Sequence, residues 1–469
     1  MRLDKTIVFL LAMAVVVACQ PTKEKNNMDQ NSAGKFTGAK GEVRLMTLDP
    51  GHFHAALVQK FMYGQVDPEV YVFAPAGPDL EGHLARIDGF NTRADNPTQW
   101  KENVYRGDDF FEKMVAERPG NVMVVAGNNA LKTEYIKDAV AAGINVLADK
   151  PMIITPEKFD LLKEAFELAE ANGVLLYDIM TERYEISTIL QKSLSQMPSV
   201  FGQLEVGSED NPAVTKESVH HFFKYVSGKA LIRPSWFFDV SKQGEGIVDV
   251  NTHLVDLIQW ECFPEQIIDY EKDVEIVSAK RWPTKLTPSQ FNRVTGLDGY
   301  PDDLLKDVQN DSVLHVFANG EINYKIKGIY AKASVIWNYE APEGAKDTHY
   351  SIMRGTKSNL VIRQGQEQGY KPMLYVEPIA GVDAAAFGQE LQKGIDKINA
   401  QYPGVAIEKS ANGWIVAIPE KYKKGHEAHF TQVTEKYLEY LKDGKLPDWE
   451  VPNMLAKYYT TTQAYLKCK

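Results

Sequence analysis

The chain is poor in cysteine, with only Cys19, Cys262 and Cys468 among 469 residues. That excludes a disulfide framework and a zinc–thiolate site, and leaves Cys262 and Cys468 one optional bridge at most. It also lacks a positive excess: 63 acidic residues outnumber 52 basic ones, for a formal charge of −11. A nucleic-acid phosphate backbone is therefore not expected as a partner, which points to a small neutral ligand. The one long apolar run, Ile7 to Val17, is too short to span a bilayer as a mature helix. Internal repeats and low-complexity blocks are lacking too. Histidines cluster at His52/His54, His220/His221 and His426/His429, yet none has a metal-ligand spacing, and no metal is expected.

What is there begins with a leader. Arg2 and Lys5 precede the apolar run, which closes on Val17-Ala18-Cys19. Residues 1–19 read as a signal peptide whose Cys19 resembles the lipidated cysteine of bacterial lipoproteins, with a small-residue cleavage site and incidental cysteine as the plainer alternative. Gln20 after it implies an exported protein anchored in the periplasm at the outer membrane. Residues 20–40 are polar and form a tether.

From residue 41 the pattern alternates strand and helix. Strands are expected over 43–48, 70–74, 122–126, 144–148 and 174–177, and helices over 55–63, 108–117, 131–142 and from Pro156 to Asn172. Continuous apolar strands separated by helices predict a doubly wound parallel α/β domain over 41–180. Beyond it, shorter strands at 202–207, 274–279 and 331–337 and helices at 427–441 and 451–466 predict an α+β domain over 181–469. Its sheet is expected to be mainly antiparallel, an open surface for a homo-oligomer.

Two segments carry chemistry. AAGINVLADKPM (141–152) places Lys150 before Pro151 at a strand end, and GEGIVDVNTHLVDLIQW (244–260) puts Asp249 and His253 four residues apart. On one helix that spacing would share a face, letting the carboxylate orient the imidazole, a suitable base for an alcohol proton. Both segments resemble the signatures of the glucose-fructose oxidoreductase/inositol dehydrogenase family, in which a Rossmann domain precedes a substrate domain. The resemblance implies Lys150, Asp249 and His253 as catalytic residues. It implies NAD or NADP as cofactor, lined by Asp49, Gly51, His52, His54, Asn128, Asn129, Asp149 and Pro151. The turn after the first strand, Asp49-Pro50-Gly51-His52-Phe53-His54, keeps only Gly51 of the family's three glycines. Asp49 would need to turn its carboxylate away from a diphosphate, most simply by capping the following helix. The family acid after the second strand is absent and Asp79 comes late. The family histidine after Asn128-Asn129 is also absent, with Lys132 nearby.

Arg183, His220, His221 and Trp236, beside Phe222, Phe223 and the RPSWFF run (233–238), are the expected sugar contacts, although such an aromatic cluster is more often core than binding surface. The function implied is an NAD(P)-dependent oxidoreductase acting on a secondary alcohol of a sugar or glycoside. Outside a cytoplasmic dinucleotide pool it would hold its nicotinamide tightly. Two alternatives stay open: a redox-neutral keto-sugar or glycoside lyase or hydrolase-like enzyme, and a non-catalytic sugar-binding lipoprotein.

Overall fold

The computed structural model describes residues 36–226, 229–309 and 312–468. The leader and Cys19 lie outside them. Among the described residues no helix is long and apolar enough to cross a membrane.

The first sheet holds β1 (Leu45–Leu48), β2 (Glu69–Ala74), β3 (Lys101–Arg106), β4 (Val122–Val125), β5 (Asn145–Asp149) and β6 (Leu176–Ile179). Its order is β3-β2-β1-β4-β5-β6, and every pairing is parallel. β1 and β4 to β6 are buried along their whole length, which is why they read as unbroken apolar runs. The strand order reverses between β1 and β4, the place where an open α/β sheet leaves a crevice beyond its strand ends. Two elements were invisible in the sequence. β3 (KENVYR) is a half-polar edge strand, and the helix Pro78–Thr92 has only Leu80, His83 and Ile87 buried. Neither offers a clear apolar period.

β7 (Val214–Phe223) begins a second, ten-stranded sheet. It pairs in parallel with Ile329–Glu340 and antiparallel with Thr348–Arg354; the other neighbours are antiparallel. The expected strand at 202–207 is reduced to isolated bridges at Leu204 and Gly207. The chain then returns. The helices His426–Asp443 and Glu450–Lys467 place Phe430, Tyr437, Leu441 and Tyr458 in the core of the first sheet, so the C-terminal segment completes the lobe begun at residue 41.

Candidate active site

The turn after β1 is shaped by close backbone contacts. Asp49 adopts a left-handed φ of 43°, and its carbonyl accepts from the Gly51 amide at 2.8 Å. At the end of β4, a Cβ on Gly127 would stand 2.3 Å from that same carbonyl oxygen, so only glycine lets the two strand exits meet. The helix that follows runs only His54–Leu57. Its cap position is Phe53, with no side-chain cap, so Asp49 does not cap it as expected. Asp49 instead faces Asp79; burial, reinforced by that neighbouring charge, pushes its carboxyl up to about 6. Trp236, expected at the substrate, lies over this turn: its indole N–H donates to Asp79 Oδ2 at 2.9 Å. A Cβ on Gly51 would meet Asp79 and Trp236 at 3.2 and 3.4 Å.

Asn128 and Asn129, expected at the cofactor, serve the loop itself. Asn128 Oδ1 accepts from the Ala130 amide at 2.9 Å, and Asn129 donates its amide to the Gln243 carbonyl at 2.7 Å, tying the two lobes together.

β5 ends in Asp149 and a cis Lys150–Pro151 peptide. Lys150 Nζ donates to Asp249 Oδ1 at 2.6 Å, and Gln243 Nε2 donates to Asp249 Oδ2 at 2.9 Å. The carboxylate thus orients the lysine, not the imidazole. The physical reason is local: the helix starts at Asn251, so Asp249 sits in the preceding turn and is not held to His253's face. His253 Nδ1 is buried without a partner, and burial together with the Lys150 charge brings the imidazole down to about 4. It is neutral at pH 7. Phe222, Phe237, Val316, Trp337 and Gly244 line a small pocket that Asp249 and Gln243 join to this group.

Around it lies a histidine cluster that spacing did not disclose. His54 Nδ1 is 2.9 Å from Asp149 Oδ2, with His52 Nδ1 at 3.9 Å. The ligand atoms of these three residues lie within 4.8 Å of one another. Burial holds both imidazoles below their usual range. The ammonium of Lys132, 3.0 Å from the Asp149 carbonyl, and that of adjacent Lys150 oppose a cation there. Farther out, His426 Nδ1 lies 3.4 Å from Glu182 Oε1, its ring 5.5 Å from that of His54.

Arg183 is not a substrate contact. It is buried, with two 2.7 Å bonds to Asp256 and bonds of 2.9 and 3.1 Å to Glu450. His221 is likewise buried against Asp347 at 3.0 Å, whereas His220 stacks on Trp337 at 4.8 Å, at the rim of the aromatic cleft. Gln243 carried no signal in the sequence, whereas Asp79 and Lys132 were marked only by their offsets after the second strand and after Asn128-Asn129 and were not assigned to the site.

Two family models match the chain. One, described as "Putative oxidoreductase C terminal domain", covers residues 190–469; the other, "Oxidoreductase family, NAD-binding Rossmann fold", covers 86–178. Among solved structures, a "putative oxidoreductase" from Parabacteroides merdae ATCC 43184 is 62% identical, with TM-score 0.90 over 92% of this chain and 99% of that one. A levoglucosan dehydrogenase in complex with NADH shares the fold at TM-score 0.56 and 11% identity, over 91% and 98% of the two chains. The WlbA dehydrogenase from Bordetella pertussis, in complex with NADH and UDP-GlcNAcA, does so at 0.53 and 13%, over 92% and 96%. No curated protein matches the sequence. On its own geometry and these matches, the chain belongs to the glucose-fructose oxidoreductase/inositol dehydrogenase family, as an oxidoreductase that uses NAD or NADP.

Proposed function

We propose that the protein oxidises a secondary alcohol of a sugar or glycoside, or reduces the corresponding ketone, while retaining its nicotinamide cofactor at the cell envelope. The observation that carries this reading is the Lys150–Asp249 pair at 2.6 Å, beside the unpartnered His253 Nδ1 and joined to an aromatic pocket. The distant relatives with dehydrogenase names, one recorded with UDP-GlcNAcA, agree with a sugar-class substrate.

The residues fit a dinucleotide. Gly51 stands without a side chain at the strand-order switch, and the orphaned His253 nitrogen marks a polar end. Gly51 and the first turn of the helix from His54 would hold the diphosphate, and Lys150 and His253 would flank the nicotinamide. When bound, that group supplies the hydride acceptor for the carbinol carbon.

The chain's own groups handle the proton. His253 Nδ1, neutral and lacking a hydrogen bond, accepts the hydroxyl proton of the substrate. The Lys150 ammonium donates to the same oxygen and stabilises the charge that develops there. Asp249 holds Lys150 in place, and Gln243 fixes Asp249. Phe237 and Trp337, backed by the buried ring of Phe222, present apolar faces to the C–H face of a sugar ring and keep water out.

Lys150→Met and His253→Ala should each lower turnover on glycosides by ~10²-fold or more while retaining cofactor. Analysis of the product by mass should show loss of two hydrogens. A product at unchanged oxidation level would instead mean a lyase or hydrolase-like reaction. The envelope location rests on Arg2, Lys5 and Val17-Ala18-Cys19. Cys19→Ser should move the protein from membrane to soluble fractions, and unchanged membrane association would count against a lipid anchor.

A further inference from the structure

The aromatic run 233–238 folds as the short turn Ser235–Phe238, and its three rings point to different places. Phe238 is buried in a core of the second lobe, and Phe237 lines the aromatic pocket with the Arg233 guanidinium 4.6 Å from its ring centre. Trp236 reaches the first lobe instead. Its indole N–H donates to Asp79 Oδ2 at 2.9 Å, and Asp79 sits in the first turn of the helix that follows β2. This contact lies directly on Gly51. A Cβ built there would stand 3.2 Å from Asp79 Oδ2, 3.4 Å from Trp236 Cζ2 and 3.6 Å from the Gly127 Cα. A glycine in a phosphate turn serves to let a diphosphate approach the backbone. Here the side of Gly51 that lacks a side chain is filled by a carboxylate and an indole. A phosphate group is larger than the methyl group that these contacts already crowd, so it and the seated indole cannot share the space. Trp236 and Asp79 are both only partly buried, and Phe237 and Phe238 anchor the turn. The indole can therefore leave by rotation of its own side chain while the backbone stays in place.

We propose that Trp236 is a gate on the dinucleotide crevice: seated on Asp79, its indole closes the approach to Gly51, and a dinucleotide reaches the turn once the indole swings out. The proposal rests on the cofactor reading above and adds to it the step that limits entry. The indole is held by more than packing, since its N–H is aimed at a carboxylate and the bond is charge-assisted. The open form is then a minor one, and binding waits on a first-order opening.

The test is stopped-flow mixing of cofactor-stripped full-length protein with NADH and with NADPH, followed by nicotinamide fluorescence, for the wild type, Trp236→Phe, Trp236→Ala, Asp79→Asn and Asp79→Ala. In the wild type the observed rate should level off as the dinucleotide concentration rises, the plateau being the opening rate. Trp236→Phe keeps a ring without the N–H, and Asp79→Ala removes the seat; each should raise the plateau at least tenfold. Trp236→Ala should abolish it and leave a linear dependence. Asp79→Asn keeps an acceptor and should raise the plateau less than Asp79→Ala, although both remove the same charge, which separates a gate from relief of repulsion. A purely structural indole would lower the melting temperature and leave the plateau where it was. A wild-type rate without a plateau, a plateau unchanged in Trp236→Phe, or weaker dinucleotide binding by Trp236→Phe overturns the proposal while leaving the oxidoreductase reading standing. Binding by Trp236→Ala alone would support a gate that the wild type keeps shut, and binding by neither overturns both readings.

Discussion

Asp49 is the residue whose chemistry departs most from what a phosphate turn requires, and its ionisation makes cofactor binding depend on pH. Its carboxyl is held at about 6 by burial and by Asp79, against the pull of Lys132, which burial brings down to about 8. The other groups facing it do not reverse the trend. His52 is held neutral by burial, and Tyr135 is pushed up to about 12. As pH falls from about 8.5 to 5, Lys132 gains its full charge and Asp49 loses its own, so both changes favour a diphosphate that stays ionised throughout. Dinucleotide affinity should therefore rise several-fold over that interval, measured by calorimetry, and Asp49→Asn should flatten the lower half of the profile. Affinity that falls on acidification would contradict this assignment. At this scale the sequence disclosed which residues to watch but not their partners. Lys150, Asp249 and His253 stand out by motif, yet the Lys150–Asp249 bond depends on where a helix begins, and that boundary is set by the Gly-rich approach through Gly244 and Gly246. A Cβ on Gly246 would lie 1.8 Å from the Ala318 carbonyl oxygen, a tertiary contact no local pattern reports.

Among elements, the turn Thr181–Tyr184 and the helices Asn251–Cys262 and Glu450–Lys467 are locked by one buried charge network. Arg183 bridges Asp256 and Glu450, Lys457 bridges Asp178 and Asp256 at 2.7 and 2.9 Å, and Tyr458 donates to Asp178 at 2.9 Å. Opposite charges hold the Asp256 carboxyl well below its usual range despite burial. Removing one partner strands the others in a low-dielectric interior. Arg183→Ala should cost about 3–5 kcal/mol, a fall in melting temperature of roughly 5–10 °C. Stability near that of the wild type together with weakened substrate binding would return Arg183 to the substrate. This network was illegible beforehand because its members lie up to 280 residues apart in sequence, as Asp178 and Tyr458 do. The parallel strands were legible for the opposite reason: burial on both faces leaves a continuous apolar run within a few residues. β3 and the helix Pro78–Thr92, half in solvent, left no such trace.

For the whole molecule, the second sheet is not a separate appendage. The last two helices return into the first core, Trp236 reaches Asp79, and Asn129 holds Gln243, so residues of the second half of the chain pack over the strand ends at the β1/β4 switch. Such an enclosure suits a cofactor that stays with the protein between turnovers. The most direct measurement is to purify the full-length protein, denature it, remove the polypeptide and quantify nicotinamide dinucleotide in the supernatant by absorbance and mass. This account predicts close to one NAD or NADP per chain, and rebinding of the same dinucleotide by the stripped protein. A supernatant free of nicotinamide, with no heat of binding for either dinucleotide, would contradict it.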